Sequence, residues 1–397
     1  MTRRYEETHP WLTFTYEPPF EQVSLRVGEA YSTCQHLAGT PLQPAVAANL
    51  ATVYLVKGAV ATTAIEGNTL SEAEATAILR DRLTLPPSQR YLEREIRNVI
   101  DVLQAIDRVS LSGASWRLSP KWLADQNQAI LRGLELPEHV RPGEYTTTHL
   151  LVGNYRSAPP EDVPYLVDRL CAWIDSRIEQ GQASDVPDDM AFFNVTTTAI
   201  LAHLYLVWIH PFGDGNGRTA RALECAILAT SGMVPWVSSN LLSDHYNRTR
   251  SRYYERLGAA SARRDVRVFV SYAMDGFVDL LREQIATIQA MQRRVAWENF
   301  VYERFRSETD GEASKRRRAL LLALPESPPT PRAKMPRLTS DLAVAYSTRS
   351  AKTLSHDVNR LIALGLVQGD ARSGYRPRIE QMDAFLPAQR ARQDGVR

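Results

Sequence analysis

The chain has 397 residues, of which 44% are hydrophobic and 23% are charged, and its formal net charge is +2. This composition is typical of a globular protein of two or three domains, and it excludes a global positive field, so any contact with nucleic acid must come from a local patch. The three cysteines lack metal or disulfide spacing, the N-terminus lacks a signal-peptide core, and the longest apolar stretch, residues 199–209, is too short to cross a bilayer. We therefore expect a cytoplasmic protein without a membrane segment.

Apolar residues recur at helical spacings of three and four along most of the chain. This periodicity predicts helices at residues 42–65, 71–83, 91–108, 119–132, 163–180, 190–208, 217–231, 244–258 and 265–303. Residues 143–160 differ, because they are β-branched and aromatic around a central Gly-Asn pair, which predicts a β-hairpin over 143–158. The expected fold class is mainly α.

A glutamate lies where the predicted helix 42–65 ends. Residues 66–68, Glu-Gly-Asn, interrupt the helix, and Ser71 with Glu74 has the pattern of a capping box that starts the next one. Glu66 therefore lies at a helix C-terminus, where the dipole disfavours negative charge by a few tenths to about 1 kcal/mol. Such an acid is either a solvated surface residue or the partner of a cation.

The densest group of glycines and charges is HPFGDGNGRTAR, residues 210–221. Its proline cannot continue the preceding helix, and its three glycines permit backbone conformations closed to other residues. A glycine loop that leads into a helix N-terminus presents N–H groups to an anion. Arg218 and Arg221 share one face of the second helix, and two guanidinium groups suit a polyphosphate better than a single phosphate.

Two further side chains of this segment indicate chemistry at the phosphates. Asp214 adds a negative charge to an anion site, which is favourable only if a cation bridges it, and Mg²⁺ held by one carboxylate and phosphate oxygens is the natural candidate. His210 titrates near neutral pH and can take a proton from an attacking hydroxyl. The alternative is a glycine-rich turn with a capping aspartate and solvated arginines, which we regard as implausible for so many functional residues together.

Segment 210–221 resembles in full the signature of Fic-domain proteins, H-P-F-x-(D/E)-G-N-G-R-x-x-R. In that family a helical core carries a β-hairpin flap, and the usual reaction transfers AMP from ATP to a Ser, Thr or Tyr hydroxyl of a target protein. The resemblance implies that His210 is the general base, that Asp214 binds Mg²⁺, and that Arg218 and Arg221 bind the β- and γ-phosphates. The nucleotide-binding residues that it implies are Val152, Gly153, Phe212, Gly213, Asp214, Gly215, Asn216, Gly217, Arg218, Arg221, Tyr253 and Tyr254.

A second motif of the same family lies upstream. Residues 62–67, T-T-A-I-E-G, resemble its inhibitory motif (S/T)-x-x-x-E-(G/N), and their position before the core motif resembles class II members. In these the glutamate pairs with the second motif arginine and occupies the space of the γ-phosphate, which misaligns the α-phosphate for in-line attack. The regulatory residues implied here are Thr62, Glu66 and Gly67, with Arg221 as the partner of Glu66.

The predicted hairpin resembles the family's flap, whose entry often reads G-x-Y-R, although Thr146 stands in the place of that arginine. An exposed hairpin edge can pair with an extended target segment, and a purely structural hairpin is the alternative. Tyr253 and Tyr254 resemble the residues that close the base pocket, with Ser261 where some relatives have asparagine. Paired tyrosines on a helix are also common packing residues.

The C-terminal residues 338–380 read as helix, turn, helix and a two-stranded wing, which resembles a winged helix-turn-helix. Lys352, Thr353, Ser355, His356, Asn359 and Arg360 of the second helix are residue types that contact phosphates and bases. Upstream KRRR at 315–318 and Arg372, Arg376 and Arg378 of the wing add local basic charge. Such modules also dock proteins or form dimers, and we favour a protein-docking role over DNA binding.

The sequence thus predicts an N-terminal helical region at 1–108 with the inhibitory helix at about 50–67, and a Fic core at 109–260 with the flap at 143–158 and the motif at 210–221. A helical extension at 261–323, a proline-rich linker or pinned loop at 324–337 and the winged-helix-like module at 338–397 follow. The expected function is an autoinhibited protein adenylyltransferase that uses Mg-ATP on a target protein docked on the flap. Self-modification and a homodimer are compatible with it. The alternatives are a hydrolase that removes AMP with the same site, or a nucleotide-sensing DNA-binding regulator.

Overall fold

The computed structural model describes residues 3–113, 116–153, 155–306 and 311–383. The chain divides into two compact units, Met1–Ile285 and Ala286–Arg397. The helices are, in chain order, α1 Arg4–Thr8, α2 Phe20–Ala38, α3 Pro44–Ile65, α4 Glu72–Leu79, α5 Arg90–Ser112, α6 Pro120–Leu131, α7 Val163–Gly181, α8 Asp188–Ile209, α9 Asn216–Thr230, α10 Trp236–Ser239, α11 Leu241–Arg248, α12 Arg250–Arg263, α13 Arg267–Arg306, α14 Glu312–Ala323, α15 Ser340–Ser347 and α16 Ala351–Ala363. The strands are β1 Leu151–Val152, β2 Tyr155–Arg156, β3 Val367–Asp370 and β4 Gly374–Pro377.

The prediction of a mainly α fold is confirmed, with differences in individual helices. Helix α2 at Phe20–Ala38 has no counterpart among the predicted helices. The single helix predicted at 244–258 is wrong, because α11 and α12 are separate helices that meet at Thr249. The predicted boundaries at 108 and 260 both fall inside the first compact unit, and α13 runs across the division between the two units.

Helix α8 is the central helix of the first unit. It packs most extensively against α7 and α9, and its residues from Phe192 to Ile209 are buried except for the partly exposed Asn194 and Val207. A helix that is apolar on all sides is expected in a core rather than at a surface. The helix ends at Ile209, and α9 begins seven residues later at Asn216, so the intervening loop is held between two core helices.

A second core region brings distant helices to the N-terminal end of α9. Helices α3 and α5 pack against each other, and both pack against α9, with α6 against α5 and α9. Their contact is built from apolar residues on helical spacings, among them Val56 and Ala59 of α3, Ile96 and Val99 of α5, and Ala222 of α9. The end of α3 and the middle of α5 are thereby placed beside the loop before α9.

The hairpin is shorter than the one predicted at 143–158. Strands β1 and β2 have two residues each and pair in antiparallel register, with Leu151 opposite Arg156 and Val152 opposite Tyr155. The first part of the predicted hairpin instead follows the loop before α9, where Tyr145 forms a bridge with Phe212. The cause is the buried Phe212, which offers a backbone partner that hairpin propensity does not take into account. Residue 154 lies outside the described residues.

The second unit has its own core, which contains Trp297, Leu320, Met335, Leu361 and Tyr375. Helices α15 and α16 are followed by the antiparallel pair β3–β4. Of the two interpretations of segment 324–337, the pinned loop agrees with the structure and the extended linker does not, because Leu324 and Met335 are buried in this core and Thr330 pairs with Tyr375. The end of the predicted module, residues 384–397, lies outside the described residues.

The basic segment 315–318 is partly neutralised in the second unit. Arg316 donates to Oδ2 of the buried Asp357 at 2.8 Å, and Arg317 donates to its Oδ1 at 3.0 Å. The hydroxyl of Tyr346 also donates to this carboxylate, at 3.0 Å. Two of the arginines counted above as basic surface charge are therefore paired with the buried Asp357 within the unit.

In the described part of the chain, two helices are long and apolar enough to cross a membrane by length and composition, although no such segment was expected from the sequence. They are α3, Pro44–Ile65, and α8, Asp188–Ile209. The most apolar window of α8 is 78% buried inside the protein and that of α3 is 33% buried. Length and composition are weak evidence for a membrane span, because the core helix of a soluble protein meets the same criteria.

Candidate active site

The loop between α8 and α9 is closed by hydrogen bonds of its own residues. Asn216 at the start of α9 donates from Nδ2 to the carbonyl of Phe212 at 2.6 Å, and its Oδ1 accepts from the amide of Phe212 at 2.9 Å. Because both polar atoms of the Asn216 side chain bind the backbone, this residue shapes the loop. Gly215 has a φ of 75°, a left-handed conformation that favours glycine.

A residue that the sequence analysis did not single out fixes this loop from outside. Asn127 of α6 is completely buried, and its Nδ2 donates to the carbonyl of Asp214 at 2.9 Å. Its Oδ1 accepts from the amide of Gly143 at 3.0 Å, where the chain leads toward the hairpin. The amide of Thr146 donates to the carbonyl of Pro211 at 2.8 Å, so the loop and the entry to the hairpin are joined directly as well.

His210 has the geometry of a base that is neutral at physiological pH. Its backbone is left-handed, with φ 53° and ψ 59°, and its Nδ1 lies 3.2 Å from the carbonyl of Val207. Since a carbonyl can only accept, Nδ1 carries the proton and Nε2 has the lone pair. Burial lowers the pKa of His210 below its ordinary value, against the smaller opposing effects of the Val207 carbonyl and of the Glu66 and Asp214 charges.

Arg221 is held by the end of α3. Its Nε donates to Oγ1 of Thr62 at 2.6 Å, and its Nη2 donates to the carbonyl of Thr62 at 2.9 Å and to Oε1 of Glu66 at 2.7 Å. The Arg221 side chain is 1% exposed and that of Glu66 is 32% exposed. Burial acts to raise the pKa of Glu66, but the adjacent Arg221 outweighs it and the pKa is lowered, so the pair is ionised.

Gly217 leaves the space in which this ion pair lies. A Cβ atom at position 217 would lie 2.5 Å from Oε1 of Glu66 and 3.1 Å from Nη1 of Arg221. Contacts this short force the neighbouring atoms to move, so any side chain at 217 would displace the carboxylate. In this structure the carboxylate of Glu66 occupies the space that the absent side chain of Gly217 leaves open.

Arg218 is engaged elsewhere. Its Nη1 donates to Oε1 of Glu95 at 2.5 Å, and its Nη2 donates to Oδ1 of Asp214 at 3.0 Å. Glu95 lies on α5, 123 residues earlier in the chain, and was not a predicted site residue. Arg218 therefore has two acidic partners and is 7% exposed.

A cavity of about 700 Å³ lies in front of these residues. The predicted residues that line it are Glu66, Val152, Gly153, His210, Gly217, Arg221, Tyr253 and Tyr254, and Ser261 lines it as well. The predicted residues that do not line it are Thr62, Gly67, Phe212, Gly213, Asp214, Gly215, Asn216 and Arg218. The volume is within the range of small-molecule sites, and the cavity places His210 and the Glu66–Arg221 pair around one space.

The two tyrosines of α12 differ in their surroundings. Tyr253 is 2% exposed, and its hydroxyl lies 3.0 Å from Nε2 of the buried His203, whose Nδ1 contacts Glu224 at 3.1 Å. Tyr254 is 44% exposed. Tyr253 thus forms a wall of the cavity and is held in place by a buried polar network, whereas Tyr254 is the more exposed of the two. Both the base-pocket and the packing interpretations apply to Tyr253.

Some of the residues that line the cavity were not predicted from the sequence. Tyr155 of β2 and Trp208 of α8 line it, and the Tyr155 hydroxyl donates to the carbonyl of Trp208 at 2.7 Å. Behind the hairpin, Nε2 of His9 lies 2.8 Å from the carbonyl of Arg156, which ties the N-terminal region to β2. These contacts anchor one strand of the hairpin, while Leu151 of the other strand is 75% exposed.

A pattern in the sequence could have identified Glu95 and Asn127 as buried polar residues. Glu95 lies three residues after Leu92 and one before Ile96, on the buried face of α5, and Asn127 lies between Leu123 and Ile130 on the buried face of α6. A polar residue in an apolar stripe must be hydrogen-bonded once the helix packs. This pattern predicts that Glu95 and Asn127 are buried, but not which residues they bind.

The residues fit one divalent cation at Asp214. Among the described residues, no group of three or more His, Cys, Asp and Glu is arranged to hold a metal ion. The hydrogen bonds that the structure shows at the Asp214 side chain, from the Gly215 amide and from Arg218, both use Oδ1. Oδ2 is left for a cation, which suits Mg²⁺ bound through one carboxylate together with substrate phosphates.

Part of this site lies in a stretch that matches a known family. Residues 117–228, which include the loop before α9, match the profile of the Fic/DOC family. The chain contains a Fic domain. The match covers α6 to most of α9, so the Fic domain supplies the hairpin, His210, Asp214 and both motif arginines, whereas Glu66 and Glu95 lie outside it.

Individual relatives extend the likeness beyond the Fic domain. Protein adenylyltransferase fic-1 of Caenorhabditis briggsae is 30% identical over 211 residues, which cover 53% of this chain and 37% of that protein. The chain thus spans less than half the length of this relative. A Fic family protein from Desulfovibrio desulfuricans G20 shares the fold, with a TM-score of 0.55 at 20% identity over 91% of this chain and 98% of that one. Fic-1 from Caenorhabditis elegans has a TM-score of 0.52 at 23% identity over 68% and 73% of the two chains.

Proposed function

We propose that this protein is an autoinhibited protein adenylyltransferase that moves AMP from Mg-ATP to a hydroxyl side chain of a target protein and releases pyrophosphate. The observation that carries the proposal is that one cavity contains both His210 and the Glu66–Arg221 pair. The name of the C. briggsae relative, protein adenylyltransferase, supports the reaction type.

The transfer step follows from the position of His210. Its Nε2 takes the proton of the target hydroxyl, and the oxygen forms a bond to the α-phosphorus of ATP while the bond to the β-phosphate oxygen breaks. The imidazolium that forms keeps its Nδ1 hydrogen bond to the Val207 carbonyl. Asp214 would hold Mg²⁺, which neutralises the phosphate charge when bound. Backbone N–H groups at the start of α9 bind phosphate oxygens at the positive end of the helix dipole.

The restraint on this reaction is the contact of Glu66 with Arg221. Because Arg221 already has a carboxylate partner, a γ-phosphate must displace Glu66 to reach it. ATP that binds without this contact leaves its α-phosphate poorly aligned with the attacking oxygen, and misplacement by about 1 Å can cost a hundredfold in rate. Arg218 cannot replace Arg221, since it is bound to Glu95 and Asp214.

The target docks on the hairpin in this proposal. Leu151 is 75% exposed and Val152 is 43% exposed, so β1 offers an apolar, accessible strand edge beside the cavity. An extended target segment that pairs with such an edge brings an alternate side chain toward His210. Transfer to a segment of this chain itself uses the same geometry.

The hydrolase alternative has one observation in its favour. Glu66 lines the same cavity as His210, and a carboxylate in this place can also orient a water molecule for attack on an AMP-modified target. The two functions respond oppositely to loss of Glu66, because transfer is released whereas hydrolysis loses its orienting group.

The test is incubation of wild type, Glu66→Gly and Glu66→Gly/His210→Ala with α-labelled ATP and cell lysate. The adenylyltransferase proposal expects label on protein, more of it with Glu66→Gly, and none with the double variant. Glu66→Gly/His36→Ala, which removes an exposed histidine of α2, is the matched control and should keep full transfer. Label that persists without His210 would refute the mechanism. Hydrolysis of an AMP-modified protein by wild type, lost in Glu66→Gly, would favour the alternative.

A further inference from the structure

An acid outside the Fic domain holds the first arginine of the motif. Glu95 is 8% exposed, and its Oε1 accepts from Nη1 of Arg218 at 2.5 Å, while Nη2 of the same guanidinium donates to Asp214 at 3.0 Å. With Arg218 only 7% exposed, its charge is balanced by these two carboxylates rather than by solvent. Arg218 therefore joins Glu95 to the predicted metal ligand.

Asn68 fixes the orientation of Glu95. Its Nδ2 donates to Oε2 of Glu95 at 2.9 Å and to the carbonyl of Leu92 at 3.0 Å, and its Oδ1 accepts from the amide of Leu70 at 3.1 Å. Since both polar ends of the buried Asn68 side chain are occupied, it has one favourable rotamer. Each oxygen of Glu95 thus has its own donor, and the carboxylate is held in one geometry.

The electrostatic consequence concerns Asp214. An arginine paired with Asp214 alone would neutralise the carboxylate that a divalent cation has to approach. Because Glu95 also binds Arg218, part of the guanidinium charge is balanced elsewhere and Asp214 keeps more of its attraction for a cation. Arg218 meanwhile orients Asp214 through Oδ1, so Oδ2 stays accessible in a defined direction.

We infer that Glu95 is a positioning residue of the nucleotide site, which acts through Arg218 on the affinity of Asp214 for a divalent cation and is itself oriented by Asn68. The inference rests on the proposed function, since the cation is the one that accompanies ATP. Residues behind a metal ligand typically change metal affinity by about 10- to 100-fold when they are altered.

The test compares Glu95→Gln with Glu93→Gln in the full chain. Glu93 lies on the same helix and is half-buried, and its Oε1 accepts from Arg97 at 3.1 Å, so the control removes a paired acid that has no contact with Arg218. Calorimetry of ADP binding over a series of Mg²⁺ concentrations measures the effect without any transfer reaction. ADP is the suitable probe because it lacks the γ-phosphate, which in the proposed function competes with Glu66 for Arg221.

We expect Glu95→Gln to raise the Mg²⁺ concentration that gives half of the Mg²⁺-dependent gain in ADP affinity by about tenfold or more. ADP affinity without Mg²⁺ should change by less than about twofold in the same variant, and Glu93→Gln should behave as wild type. Glu95→Asp, which keeps the charge, should recover part of the loss. Asn68→Ala, which keeps Glu95 but frees its orientation, should give a smaller shift in the same direction.

The inference would be overturned if Glu95→Gln, Asn68→Ala and wild type all showed the same Mg²⁺ dependence. It would also be overturned if Glu95→Gln lost the same ADP affinity with and without Mg²⁺, because such a loss indicates a merely structural role of Glu95. If Glu95→Gln does not fold, as judged by circular dichroism, Glu95→Asp and Asn68→Ala decide the question. Failure of the proposed function is a separate result, because it means that Glu66→Gly transfers no adenylate, whatever the Mg²⁺ dependence of ADP binding.

Discussion

Replacing Glu66 by glutamine removes the charge that Arg221 meets in the cavity and leaves the side-chain size almost unchanged. Arg221 keeps its hydrogen bonds from Nε to Oγ1 of Thr62 at 2.6 Å and from Nη2 to the carbonyl of Thr62 at 2.9 Å. The guanidinium is therefore expected to stay in place, with its affinity for a phosphate increased. The variant therefore tests whether Glu66 competes with a phosphate for Arg221 while Arg221 itself stays in position.

The size of the effect follows from the contact that is weakened. A hydrogen bond involving charged groups contributes about 1.5–3 kcal/mol. Arg221 is 1% exposed but Glu66 is 32% exposed, so solvent partly screens the pair and the lower end, about 1.5–2 kcal/mol, applies. A γ-phosphate that must displace Glu66 then binds about 10- to 30-fold more weakly than one that need not.

The assay is calorimetric binding of ADP and of a non-hydrolysable ATP analogue, each with Mg²⁺, to wild type and Glu66→Gln. The ATP analogue should bind about 10- to 30-fold more tightly to the variant, whereas ADP, which has no γ-phosphate, should change by less than about twofold. Glu72→Gln, an exposed acid at the start of α4, is the control and should change neither. Equal changes for the two nucleotides, or no change, would refute competition between Glu66 and the γ-phosphate.

Three further results are expected. The acidic limb of kcat/KM for Glu66→Gly, measured from about pH 5 to 8, should have its midpoint below the usual histidine value of about 6.5, because burial lowers the pKa of His210 and removing Glu66 lowers it further. Gly217→Ala should lower the free energy of urea unfolding of wild type relative to its effect in Glu66→Gly, by about 1 kcal/mol, because Glu66→Gly lacks the atom 2.5 Å from the added Cβ. Asn127→Ala should cost about 2–4 kcal/mol, since it leaves the amide of Gly143 and a loop carbonyl without their partner.

Each of these has a result that contradicts it. A midpoint above about 6.5 would mean that His210 is not the neutral base described here. An equal cost of Gly217→Ala in both backgrounds would show that Glu66 does not occupy the space in front of Gly217. For the buried Asn127, a loss no larger than that of the exposed control Asn49→Ala would show that its hydrogen bonds to the loop are replaced by others.

Local sequence was enough for the elements around the cavity. Proline and glycine after the apolar run of α8 predicted the helix–loop–helix of residues 190–231, and the structure has α8 ending at Ile209 and α9 beginning at Asn216. The capping pattern at Ser71 and Glu74 is present with both of its reciprocal hydrogen bonds. These features depend on neighbours within a few residues, which is why a sequence pattern can determine them.

The hairpin shows where local propensity was insufficient. Its β-branched residues predicted strands over 143–158, but among the described residues of this segment the strands are limited to 151–152 and 155–156. Tyr145 pairs with Phe212 instead, 67 positions further along the chain, because the buried loop before α9 provides a competing backbone partner. Strand pairing depends on which partner tertiary packing makes available, and propensity does not contain that information.

The sequence by itself determined the mainly α fold, the loop at 210–217 and the types of charged residue that surround it, because periodicity, proline, glycine and side-chain chemistry act over a few residues. Its resemblance to a known family also implied the pairing of Glu66 with Arg221. Only the tertiary structure decided that Arg218 is bound by Glu95 and that Asn127 and Asn68 hold the site together. These contacts join residues up to 123 positions apart, and their partners are chosen by the packing of α3, α5 and α6 around α9, since a buried polar group must bind whichever partner the fold brings within reach.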